Sequence, residues 1–179
     1  MSRPDLADAF AHHVWATVRL VDACLPLSPE QLDATAEGTY GSIIATMRHL
    51  IGGDASYLWV LTDGHVSEVD EDAMDLPQLR ALMETNGAAW QALVAGELDP
   101  EAIVVRHRDD GIDSHAPLGI RIAQALHHGT DHRSQVCTIL TTIGVEPPEI
   151  DVWAFAAHEG RLAEVPRSIA WSVEGPTRE

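Results

Sequence analysis

The sequence predicts an all-α fold: a four-helix bundle with a small hairpin excursion between helices three and four and a short C-terminal helix. Three observations carry the all-α bundle. Four long segments repeat apolar residues at the three- and four-residue intervals of a helix. The connections between them are modest, which favours helices packed side by side around one core. Only residues 102–119 break the helical period.

The first helix is expected over residues 5–25, where Phe10, Val14, Val18, Val21 and Leu25 recur on one face ahead of Pro26. "SPEQ" at 28–31 reads as a capped turn, with Ser28 as N-cap, Pro29 as first helical residue and Gln31 completing a capping box. The second long helix begins near Ser42. It carries Ile43, Ile44, Met47, Leu50, Ile51, Leu58 and Leu61, and stops at "DGH" (63–65). After the acidic loop "SEVDEDAMDLP", a third is expected over residues 76–94, with Leu79, Leu82, Met83, Ala89, Trp90 and Leu93 on its apolar stripe. "AIVVRHRDDGIDSHAPLG" (102–119) is β-branched at its start and turns at Asp110-Gly111, the pattern of a hairpin. The fourth long helix, residues 118–143, is closed by Gly144 and the Pro147-Pro148 pair. A short helix over residues 150–160 carries Val152, Trp153, Phe155 and Ala156. One domain over residues 1–179 is expected, of which 172–179 form a frayed tail.

Charge excludes whole classes of function. The formal net charge is −17, and all 11 basic residues are arginines. So acidic a surface repels phosphate backbones and argues against nucleic-acid binding. The absence of lysine removes Schiff-base chemistry and the P-loop, both of which need an amine. No apolar run approaches the roughly 18 residues of a membrane span. The N-terminus lacks a charged-then-apolar leader, so the expected compartment is the cytoplasm. Cys24 and Cys137 sit at apolar helical positions and read as small buried hydrophobes, not as a disulfide framework.

The ten histidines are the informative residues. "HHGTDHRSQ" (127–135) places His128 and His132 four apart, on one helical face. They share a stripe with Ala125, Gln135 and Ile139, bordering the apolar stripe of Ile122, Leu126, Gly129, Val136, Leu140 and Ile143. Two imidazoles beside a core need partners, because an unpaired buried polar group costs about 1–3 kcal/mol. One shared metal ion would supply both. A third ligand should come from a facing helix, and His49 is the one histidine of the second helix, followed by Gly52 and Gly53 where a close approach of another backbone is wanted. His127 points about 100° away from His128 and suits a supporting or interface role. His12 and His13 read as surface or end-of-bundle residues, His65 follows a turn, His107 and His115 lie in the hairpin, and His158 is near a helix end. A zinc-protease helix is excluded, since Gly129 stands where H-E-x-x-H needs its glutamate base.

These residues together resemble the DinB/YfiT-like family of metalloenzymes. "ALHHGTDHRSQVCTILTTIG" resembles its fourth helix, "GSIIATMRHLIGGDASYLWVLTDG" its second, "FAHHVWATVRLVDACLPLSPEQL" its opening helix and capped turn, and "DVWAFAAHEGRL" its closing segment. The resemblance puts the family's metal ligands on His49, His128 and His132. It departs at His127, where the family has asparagine, and at Ser134, where it has glycine. Arg133 and Gln135 fit the pattern, as structural, dimer-contact or pocket residues. The resemblance further implies a homodimer and a small-molecule substrate, with a low-molecular-weight thiol as a second cofactor in some members.

Three imidazoles leave a coordination position open, the arrangement of a catalytic site. The leading expectation is a divalent metal (zinc first, nickel or iron as alternatives) serving a small-thiol transferase acting on an electrophile. The alternatives are a metal-dependent hydrolase, with Asp54, Asp22 or His127 as base, and a non-enzymatic metal-binding or stress-response protein. A tryptophan (Trp15, Trp90 or Trp153) packed over the histidines would favour the last.

Overall fold

Apolar periodicity sets where the helices run, and capping chemistry sets where they start. The computed structural model describes residues 4–65 and 70–165, so the expected tail lies outside the described residues. The chain forms α1 (Pro4–Cys24), α2 (Pro29–Leu32), α3 (Ile43–Leu61), a 3-10 turn at Glu71–Ala73, α4 (Leu76–Ala95), β1 (Ile103–His107), β2 (Asp113–Pro117), α5 (Leu118–Thr142) and α6 (Val152–His158). The Ser28–Gln31 capping box forms as the sequence predicts. Asp75 makes a second box with Gln78, and Asp151 caps α6 through the Ala154 amide. Each such cap stabilises its helix start by about 1 kcal/mol. Leu25, expected on the buried stripe, instead lies exposed just beyond α1.

The long helices close a ring in the order α1–α4–α3–α5, with α2 and α6 as short flanking pieces. Two apolar clusters fill it. One gathers Leu20, Met47, Leu50, Leu79, Met83, Ile139 and Leu140; the other gathers Phe10, Leu58, Trp90, Leu118 and Ile122. Along each long helix a polar layer separates them: His13 and Thr17 on α1, Asn86 on α4, Asp54 on α3, and His132 and Arg133 on α5, all buried. The candidate site grows out of this layer.

The hairpin pairs antiparallel, Val105 opposite His115 and Arg106 opposite Ser114, and turns at Gly111, whose φ of 79° suits glycine. Arg121 of α5 clamps it by donating to the carbonyls of Val104 and Ser114. The Leu118 amide also bonds to the Ala102 carbonyl, so the hairpin is tied directly to the start of α5. Among the described residues no helix is long and apolar enough to cross a membrane.

Candidate metal centre

His49 on α3 and His128 and His132 on α5 come together where the sequence predicts. One ring nitrogen of each lies within 4.8 Å of the others. His49 Nε2 and His128 Nε2 are 3.2 Å apart. Two imidazole nitrogens at near-tetrahedral angles, each about 2.1 Å from one ion, sit about 3.4 Å apart, so the spacing suits shared ligation. The ring centroids are mutually 4.5–5.0 Å apart and the planes steeply inclined, which lets the nitrogens converge without stacking.

The surroundings fix the rings. Gln135 Oε1 accepts from His132 Nδ1 at 3.1 Å, and a carbonyl oxygen only accepts, so Nδ1 carries the proton and Nε2 is left with its lone pair. The same oxygen accepts the Tyr40 amide, and the Tyr40 ring stacks on His49 at 4.1 Å. Tyr57 meets the His128 ring edge-on. Burial, with the neighbouring imidazoles, pulls His128 down to about 4; burial likewise lowers His49. Both rings are therefore neutral at neutral pH, the protonation state a metal requires. The donor set and its protonation fit a divalent ion.

Close approach is bought by glycine, though what approaches is side chain and not backbone. A Cβ on Gly53 would stand 2.8 Å from His128 Cε1, and one on Gly52 would stand 2.5 Å from the Glu71 side chain. Gly129, at the position that excludes a protease motif, makes room for His13: a Cβ there would lie 2.3 Å from His13 Cε1.

His13 is the main correction to the sequence reading. It is buried, not a surface residue, because it bridges the core. Arg133 donates to its Nδ1 at 2.9 Å, and its Nε2 donates to Asp54 Oδ1 at 2.9 Å. Guanidinium only donates and carboxylate only accepts, so the bridging imidazole is the neutral Nε2–H tautomer. Trp90 Nε1 donates to the same carboxylate. The strap thus takes one residue from each long helix, and its Asp54 and His13 lie close enough to His128 to act on that ring's charge. Burial lowers Arg133 to about 10, still a cation at neutral pH. His12 is half-buried, its Nε2 donating to the Ile150 carbonyl.

The three candidate bases fare poorly. Asp54 is occupied by the strap, Asp22 pairs with Arg80 at the surface, and His127 is exposed and lines a different cavity. The tryptophans do not cover the histidines: Trp90 stacks on Phe10, Trp15 lies against Phe155, and Trp153 is 69% exposed. Instead a cavity of about 400 Å³ opens beside His49 and His128. It is floored by Gly52, Gly53 and Ser56 of α3 and walled by Tyr57, Glu71 and Arg106. Sequence reasoning missed Glu71 and Arg106, since only the folded connections bring the acidic loop and the hairpin to α3. Cys24 and Cys137 lie elsewhere in the core; burial raises both thiols, Cys24 to about 12.

No curated protein matches the chain. The model of the DinB family matches residues 1–166, nearly all of the sequence and every element of the bundle, and the chain therefore belongs to the DinB family.

Proposed function

We propose that His49, His128 and His132 hold a divalent metal ion, zinc by preference, and that the protein is a transferase using a small external thiol. The observation that carries the reading is the placement of two of the three converged imidazoles, His49 and His128, at the wall of an open, ligand-sized cavity. A structural metal would be closed off. A divalent ion held by these residues would supply Lewis acidity, lowering the pKa of a bound thiol.

The chain's own residues do the rest. Cys24 is buried and Cys137 half-buried, both with pKa values raised by burial, which supports a nucleophile that comes from outside. Glu71 is the carboxylate in the cavity, and it accepts the thiol proton. The sulfur–carbon bond forms as the electrophile's leaving group departs, and Glu71 returns the proton to that group. Tyr40 and Gln135 keep the His49 and His132 rings oriented. The His13–Asp54–Trp90–Arg133 strap ties α1, α3, α4 and α5 together.

The test is product analysis with the metal-loaded protein, a panel of small thiols and alkylating or arylating electrophiles. A thioether that needs both metal and Glu71 supports the reading. Cleavage by water without thiol incorporation would replace it with the hydrolase, for which Glu71 is equally placed as base.

A further inference from the structure

Arg106 stands apart from the other arginines. Among the described residues the rest are engaged: by carboxylates at Arg80, Arg108 and Arg161, by backbone carbonyls at Arg48 and Arg121, by His13 at Arg133, and by the Trp15 ring at Arg19. The Arg106 guanidinium makes no hydrogen bond or ion pair among the described residues, and it lines the cavity that His49 and His128 border. In a chain of net charge −17, Arg106 alone of the described arginines has neither a hydrogen bond, an ion pair nor an aromatic ring against its guanidinium. Its placement is firm, because β1 pairs it opposite Ser114 and Arg121 pins the hairpin to α5.

Charge balance says what such a cavity takes. The walls offer one fixed cation, Arg106, and one carboxylate, Glu71. A divalent ion with three neutral ligands then leaves two positive charges uncompensated. A thiol that hands its proton to Glu71 leaves that total at two, since the thiolate and the neutralised carboxyl offset each other. An anionic group elsewhere on the same molecule cancels one of them, and a planar guanidinium matches a carboxylate with paired hydrogen bonds.

We infer that Arg106 is a specificity-determining residue, which selects a metal-binding ligand, the thiol cosubstrate, that bears a carboxylate. The inference rests on the metal-centre reading above and names the ligand class that the site accepts.

The experiment uses the cobalt(II)-substituted protein, whose sulfur-to-cobalt charge-transfer absorption reports thiol binding without any turnover. 3-Mercaptopropionate is titrated against its neutral counterpart, 3-mercaptopropanol, in wild type, Arg106→Gln and Arg106→Lys. Direct chelation by the carboxylate contributes equally to all three, so only the difference between proteins counts. The expected result is about a tenfold loss of affinity for the anionic thiol in Arg106→Gln, with partial retention in Arg106→Lys and no change for the alcohol. Equal affinities in all three proteins would overturn the role of Arg106 and leave the thiol reading standing. If neither thiol produces the absorption band, the thiol reading fails. The role of Arg106 is then decided by imidazole against 4-imidazoleacetate, followed in the cobalt d–d bands: a preference for the acetate that Arg106→Gln abolishes upholds it, and no preference overturns it. A protein that takes up no cobalt overturns both.

Discussion

At the scale of single residues, the candidate site depends on what glycine leaves out. A methyl group at Gly53 would press on the His128 ring, so Gly53→Ala should weaken metal binding about 10–100-fold, as perturbing the support of a ligand does. Competition with a chromogenic chelator measures this, and an unchanged helical circular-dichroism signal separates it from unfolding. Asp54 belongs to the strap, not to the chemistry. Asp54→Ala leaves Arg133 buried without its counter-charge and should cost about 3–5 kcal/mol in a urea titration. A loss within experimental error would mean that the strap contributes nothing. The histidine trio is legible in the sequence because two of its members share a helical face and the third is alone on its helix. His13 is not. A histidine pair near a chain start looks solvated, and only the gap at Gly129 on a helix more than a hundred residues later shows where it goes.

Among the elements, the hairpin departs from the bundle plan and also completes the cavity. Asp110-Gly111 announced its turn, and the helices matched their apolar stripes to within a residue or two at most ends. Periodicity reports which face of an element is buried, so it finds helices well. It carries no information about which loop reaches which helix. For that reason Glu71, one acid among several in its loop, and Arg106, on an exposed strand, could not be assigned to the site from sequence. Arg121 is the joint between hairpin and bundle. Arg121→Ala should raise amide exchange through residues 103–117 by more than tenfold, since it removes a charge-assisted clamp worth about 1.5–3 kcal/mol. Metal content should not change, because none of the three histidines touches the hairpin clamp. Exchange that stays as slow as in wild type would show that the backbone bond at Leu118 suffices.

For the whole molecule, burial of imidazoles couples folding to pH in the metal-free state. His12, His49 and His128 all have lowered pKa values, His128 near 4, with burial the largest cause in each. An unfolded chain binds protons there once the pH falls below about 6.5, and the native chain does not. Stability is therefore fully present above that value and is lost as the pH falls toward about 4. Allowing for solvent screening, a loss of about 1 kcal/mol is expected, or roughly 2–4 °C in Tm between pH 7 and pH 5. A Tm that is flat or rises over that window would contradict it. Bound metal should add to the slope, because protons and metal compete for the same nitrogens.

If the three imidazoles hold a metal ion, the purified protein carries it in fixed proportion to the chain. The protein is expressed without a histidine tag, and its bound metals are measured by mass spectrometry beside a His49→Ala/His132→Ala variant. About one ion per chain, lost in the variant while the helical signal survives, is the predicted result. No metal in either protein after incubation with zinc or nickel would contradict the account and make the trio a polar cluster of the core.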